Sequence, residues 1–263
     1  MYEIKNISCE NYTMKKIVVI TGAGTGVGYQ VSLSLLEGNN EVHVVAIGRR
    51  SEKLNTLKSA HPGRVSVVAV DIATEEGRNY IMTELSSFPK VDYLIHAAAT
   101  IKPLVKIKDL SLQGWRHAIQ TNVESPLFLT QLLLHKCDHS RVLFFSSETP
   151  VKAVIGASTY CISKAGLQLV YDSFKAEVPS EKAVFAMISP GLVDTPMQEE
   201  IRQTDPVVLP AATELSLLYR ENKLLPVSIV SGFVRWVLLD VSDEEFSSAI
   251  WNIYDTSHQS RWM

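Results

Sequence analysis

Seven short runs rich in Val, Ile and Phe recur along the chain, with helix-compatible stretches between them. That alternation limits the fold more than any other feature. The runs are IVVI (17–20), VHVVAI (42–47), VSVVAV (65–70), DYLIHA (92–97), RVLFFS (141–146), AVFAMIS (183–189) and IWNIY (250–254). Their nearly continuous apolar content suits strands buried on both faces, as in a parallel sheet. Helical spacing occupies the segments near 27–37, 51–60, 74–87, 109–136, 158–177 and 227–239. This order predicts an α/β fold, a doubly wound parallel sheet of about seven strands with helices on both faces.

Neither an internal repeat nor a linker interrupts the series, so residues 15–263 read as one domain. Residues 1–14 are polar and lack the apolar stretch of a signal peptide, and read as an N-terminal extension. The least regular stretch, 192–226, carries Pro196, Pro206, Pro210 and Pro226 after the sixth strand. It is expected to be a substrate lid, the alternative being a surface excursion.

Composition removes several function classes. The net charge is −3 and no basic run occurs, which argues against nucleic acid as a partner. Cys9, Cys137 and Cys161 are too few and too scattered for a disulfide framework or a zinc site, so no metal is expected and a cytoplasmic setting fits. No apolar run approaches the roughly 18 residues that would indicate a membrane span.

The segment TGAGTGVG (21–28) joins the first strand to the first helix. Glycines at 22, 26 and 28 let the turn tighten, let main chain approach a pyrophosphate and let helix pack on strand, while the helix N-terminus offers free N–H groups. The end of the second strand selects between dinucleotides. An NAD site commonly places an acid about twenty residues past the glycines. Here Gly48 stands at that place, followed by Arg49 and Arg50. A guanidinium pairs with a 2′-phosphate and a carboxylate repels it, so NADP(H) is expected, with Arg49 the stronger candidate. Asp71, ending the third strand, is expected to accept from the adenine amino group or to serve as a helix-turn acid.

In YCISK (160–164), Tyr160 and Lys164 stand one helical turn apart. They are either an ordinary helix-surface pair or a phenol tuned for proton transfer. Tyrosine titrates near 10, and bringing it to neutrality takes about 4 kcal/mol of preference for the phenolate. A neighbouring ammonium and a positively charged nicotinamide are the expected sources.

Together, TGAGTGVG, DI (71–72), HAAA (96–99), TNV (121–123), SS (146–147), YCISK and SPGLVDT (189–195) resemble the ordered motifs of the short-chain dehydrogenase/reductase family, across residues 15–197. The resemblance implies a Rossmann-type fold and a catalytic group of Asn122, Ser147, Tyr160 and Lys164. Ser147 would hold the substrate oxygen against the phenol, and Lys164 would also grip the nicotinamide ribose. Asn122 would bend the long central helix and anchor a water linking Lys164 to solvent. It further implies cofactor contacts from Gly22, Gly24, Thr25, Gly26, Val27, Gly28, Asp71, Ile72, Ala97, Ala98, Pro190, Gly191, Val193 and Thr195. His96 departs from the family's usual asparagine, and a local adjustment near the cofactor is expected there. Members commonly pair their long helices, here 109–136 and 158–177, with a second subunit, which implies a homodimer or homotetramer.

The stretches SPGLVDTPMQEEIRQT, NKLLPVSIVSGFVRWVLL and SSAIWNIYD are similar to the C-terminal third of sepiapterin reductases and of bacterial relatives that reduce benzil and other vicinal diketones. This implies an NADPH-dependent reductase of a small carbonyl substrate. Asn252 stands where pterin-binding members carry an aspartate, which favours a diketone over a pterin. Trp251, Met197 and the lid leucines are candidate pocket walls. A dinucleotide-binding regulator without turnover and an NAD-linked alcohol dehydrogenase are the alternatives.

Overall fold

A computed structural model of the protein describes residues 15–38, 41–147 and 152–263. The strands are β1 (Lys16–Thr21), β2 (Val42–Gly48), β3 (Val65–Ala69), β4 (Tyr93–His96), β5 (Ser140–Phe145), β6 (Ala183–Ser189) and β7 (Ile250–Asn252). All pair in parallel, in the order β3-β2-β1-β4-β5-β6-β7. The chain reverses its direction of travel between β1 and β4, and such a switch opens a crevice at the carboxyl ends of the strands.

Helices α1 (Gly26–Gly38), α2 (Ser51–Ala60), α3 (Glu75–Glu84), α4 (Leu112–Ile119), α5 (Ser125–Leu133), α6 (Ser158–Glu177), α7 (Pro196–Arg202), α8 (Ala211–Arg220), α9 (Val227–Leu239), α10 (Asp243–Phe246) and α11 (Thr256–Gln259) complete the architecture. Side chains of α1, α2 and α9 share one apolar layer with Val18, Ile20, Val44, Leu143 and Ile188. Those of α3, α5 and α6 share the other with Val19, Val45, Phe144, Phe185 and Met187. Neighbouring residues of a strand thus enter opposite layers, and both must be apolar.

Two elements differ from the sequence expectation. The segment 109–136 is two α-helices joined by a π-helical turn, Gln120–Glu124, which contains the buried Asn122. Inserting the wider turn offsets α5 from α4 and aims Asn122 inward. The last strand ends at Asn252, whose Oδ1 accepts from the Tyr254 N–H at 3.0 Å and turns the chain.

The stretch after β6 packs back onto two other loops. Ile201, Leu209 and Ala212 meet Leu104, Val154 and Ala157 in a small apolar cluster. Gly156, at φ +81°, lies so close that a Cβ there would stand 2.3 Å from the Val208 carbonyl oxygen. No helix of the described residues is long and apolar enough to cross a membrane.

Candidate active site

The turn between β1 and α1 is shaped by what it must touch. Gly22, at φ +73°, lies against the Ala97–Ala98 main chain, where a Cβ would stand 2.7 Å from the Ala98 nitrogen. A Cβ on Gly28 would stand 2.5 Å from the Gly22 oxygen, so α1 enters the turn as closely as main chain allows. A Cβ on Gly24 would meet Lys53 Cβ at 3.5 Å, an ordinary van der Waals contact. Helix α1 starts at Gly26, and the first N–H groups of a helix have no partner within it, the arrangement that suits a pyrophosphate. Val27 packs beneath it and Thr195 beside Gly26.

At the β2 end, Gly48 offers no acid, and Arg49 and Arg50 are both exposed. Arg50, ranked second on sequence, is the one that reaches the glycine turn: its Nη2 donates to Thr25 Oγ1 at 3.2 Å. The Asp71 carboxylate accepts from the Ala73 N–H at 3.0 Å, and Ile72 is buried beside it. Asp71 therefore serves the local turn, one of the two roles foreseen for it.

At the carboxyl ends of β4 and β5 the other predicted residues gather. Lys164 is buried and its Nζ donates to the Phe145 carbonyl at 2.6 Å. It lies 5.7 Å from the centre of the Tyr160 ring. Ser147 hydrogen-bonds to the Tyr160 side chain. Burial lowers the Lys164 pKa to about 8, because an ammonium loses its hydration there. Burial also raises Tyr160 to about 12, against a lowering pull from the Ser147 hydrogen bond. For the chain's own groups desolvation outweighs the hydrogen bond, and Lys164 directs its donor to a carbonyl.

Asn122 is clamped on three sides. Its Oδ1 accepts from the Thr100 N–H at 2.8 Å, and its Nδ2 donates to the Thr100 carbonyl at 2.8 Å and to Ser163 Oγ at 2.9 Å. Both amide hydrogens are taken, so any water linked to Lys164 has to use the main chain or the remaining oxygen lone pair. Ser163 in turn donates to the Tyr160 carbonyl at 2.8 Å. The amide thereby ties the loop after β4 to the first turns of α6. Sequence reading missed Thr100 and Ser163; the place of Ser163 inside YCISK was the one available signal.

One further expectation, Trp251 as a pocket wall, needs correction, and His96 and Asn252 take defined places. His96 turns away from the glycine turn: its Nε2 shares a 2.8 Å hydrogen bond with Thr130 Oγ1, and its ring stacks on Phe144. Burial holds it neutral, with a pKa of about 3. Trp251 is core rather than pocket wall, since it packs edge-on against Trp236 and donates to the Phe246 carbonyl. Asn252 is exposed, and its side-chain oxygen is used in the turn to Tyr254. Met197 is half-buried on α7.

The 190–195 segment runs on from the carboxyl end of β6. Pro190 leads into Gly191, at φ +75°, and Val193 forms a parallel bridge with Leu225. Leu225 donates to the Leu192 carbonyl at 2.7 Å and accepts from the Asp194 N–H at 3.0 Å. Thr195 caps α7 by accepting from the Gln198 N–H. Among the described residues, no group of three or more His, Cys, Asp or Glu side chains is placed to hold a metal ion.

The sequence pattern of the short chain dehydrogenase family matches residues 16–206, and the chain belongs to that family of nicotinamide-dependent oxidoreductases. Among characterised relatives it is similar to a benzil reductase ((S)-benzoin forming) of Saccharomyces cerevisiae, at 28% identity over 239 residues, or 86% of this chain and 91% of the relative. A benzil reductase ((S)-benzoin forming) of Bacillus subtilis is 29% identical over 199 residues, or 72% of this chain and 79% of the relative. The crystal structure of the KRED1-Pglu enzyme superposes with a TM-score of 0.84 at 28% identity, covering 90% of this chain and all of that one.

Proposed function

We propose that the protein is an NADPH-dependent carbonyl reductase acting on a small ketone, with a benzil-type vicinal diketone as leading substrate and a sepiapterin-like side chain as second. The observation that carries this reading is the Ser147–Tyr160 hydrogen bond beside a buried Lys164, at the strand ends next to the glycine turn. Similarity to two benzil reductases supports the substrate class. The absence of an acid at Gly48 and the Arg50–Thr25 contact support NADP(H).

Bound at this site, the reduced nicotinamide supplies a hydride to the carbonyl carbon. Ser147 orients the carbonyl oxygen and Tyr160 gives it a proton. The phenol is protonated at neutral pH; at about 12 it lies above the range for efficient transfer, so the Lys164 ammonium has to favour the phenolate as the proton leaves. The phenolate left behind is stabilised by the Lys164 ammonium and regains its proton from solvent. Asn122 holds the loop and helix that carry these groups in register. Residues 15–263 act as one reductase unit with 192–226 as its lid. A second copy would cover the exposed Leu112, Ile162 and Leu169 on α4 and α6.

The test is NADPH consumption with benzil, another aryl vicinal diketone and sepiapterin, each repeated with NADH. Diketone turnover with NADPH preferred, lost in Tyr160→Phe, is the expected result. In Arg50→Ala the preference over NADH should shrink about tenfold, the loss of one charge-assisted hydrogen bond. Tight NADPH binding with no turnover of any carbonyl would refute the reductase reading.

A further inference from the structure

Tyr254 stands two residues beyond β7, far in sequence from every motif that marks the site. Its hydroxyl oxygen accepts from the Leu192 N–H at 3.0 Å. Its ring lies over Gly191, where a Cβ would stand 2.8 Å from three ring-end atoms, Cε2, Cζ and the hydroxyl oxygen. Yet Tyr254 is 43% exposed, so core burial does not explain its placement. It sits where it does by what it holds.

What it holds is one edge of a short extended segment. Leu192 N–H goes to Tyr254, while Leu192 C=O and Asp194 N–H both go to Leu225. In a parallel bridge of this kind the residue between, Val193, turns its own N–H and C=O to the opposite edge. That edge lies between two fixed points. Thr195, two residues on, meets the glycine turn at Gly26, and the segment leaves β6 beside β5, whose end carries Ser147. A dinucleotide with its pyrophosphate on α1 and its adenosine toward Arg50 has only its other half left to run along this edge.

We infer that Tyr254 is a positioning residue that sets the 190–195 segment for the nicotinamide half of the cofactor. The inference rests on the NADP(H) reading above. Two anchors, one from the lid and one from the C-terminal turn, fix the main chain so that the Val193 N–H is presented without further ordering when the cofactor arrives. Tyr254 acts through Leu192 and touches no reacting atom.

The experiment compares wild type with Tyr254→Phe, which keeps the ring over Gly191 and removes only the acceptor. Binding of NADPH and of 2′,5′-ADP, which lacks the nicotinamide half, is measured by titration calorimetry, alongside cofactor-free thermal melting. Tyr254→Phe is expected to weaken NADPH about 3- to 10-fold, the range for one neutral hydrogen bond, and to leave 2′,5′-ADP and the melting temperature unchanged. Unchanged NADPH affinity overturns the inference and leaves the function intact. Equal losses for both ligands, or a fall in melting temperature, would make Tyr254 merely structural and also overturn it. If wild type binds neither NADPH nor 2′,5′-ADP, the NADP(H) reading fails and the inference fails with it.

Discussion

Replacing Asn122 by alanine removes three hydrogen bonds at once. Thr100 loses partners for both its N–H and its C=O, and Ser163 Oγ loses its donor. A buried bond between neutral groups is worth about 1 kcal/mol, and leaving its partner unpaired costs somewhat more. The Thr100 end is part-buried and can recover water, so the total is about 3 kcal/mol rather than the upper bound. Ser163→Ala removes the Ser163 donation to the Tyr160 carbonyl together with one of the same three bonds, and should cost about 2 kcal/mol. Because that bond is shared, the double variant should be less destabilised than the sum of the singles by about 1 kcal/mol. Urea unfolding of the four proteins measures each value. Additivity within about 0.3 kcal/mol would refute the clamp, since independent sites add and partners do not.

Acid should weaken the fold through two buried histidines. Burial, helped at His43 by the Lys15 and Arg64 charges, holds His43 at about 4 and His96 at about 3, against 6.5 in the unfolded chain. The unfolded chain therefore takes up protons the native state refuses, stability falls as pH drops below 6.5, and at about pH 5 the two together cost about 4 kcal/mol. Thermal melting from neutrality to that pH should show the loss and His96→Asn should halve it; a flat profile would contradict it. Gly156→Ala, forced into φ +81° with its Cβ 2.3 Å from the Val208 oxygen, should lift the 205–212 stretch and speed its amide hydrogen exchange, with unchanged exchange the refuting result.

The sheet was legible because both-face burial leaves a local mark: an unbroken apolar run needs no knowledge of its partners. His96 shows how far that local reading goes. Alternation along β4 sends Ile95 to the α1 side and leaves His96 on the α5 side with Phe144, so its turn away from the glycines was readable from strand period alone. The break at Gln120–Glu124 was only half readable. An asparagine there suggests a bend, but the π-turn is held by partners 22 and 41 residues away, which no local pattern encodes. Tyr254 left no mark in any motif, because its contact with Leu192 spans 62 residues and arises from the return of the chain to β6.

Tyr160 and Lys164 carry the deeper lesson about what spacing can say. A tyrosine one turn before a lysine suggests a lowered phenol, because opposite charges favour each other's ionised forms. Desolvation acts on both groups at once and against ionisation in each. It moves the lysine down to about 8 and the tyrosine up to about 12. At neutral pH the result is a protonated phenol beside an ammonium. Oxidation of an alcohol would have to begin from the phenolate, which the chain alone disfavours. A positive charge arriving with an oxidised nicotinamide would lower the phenol only in that complex. Burial thus sets the resting protonation of both groups, which the four-residue spacing does not record.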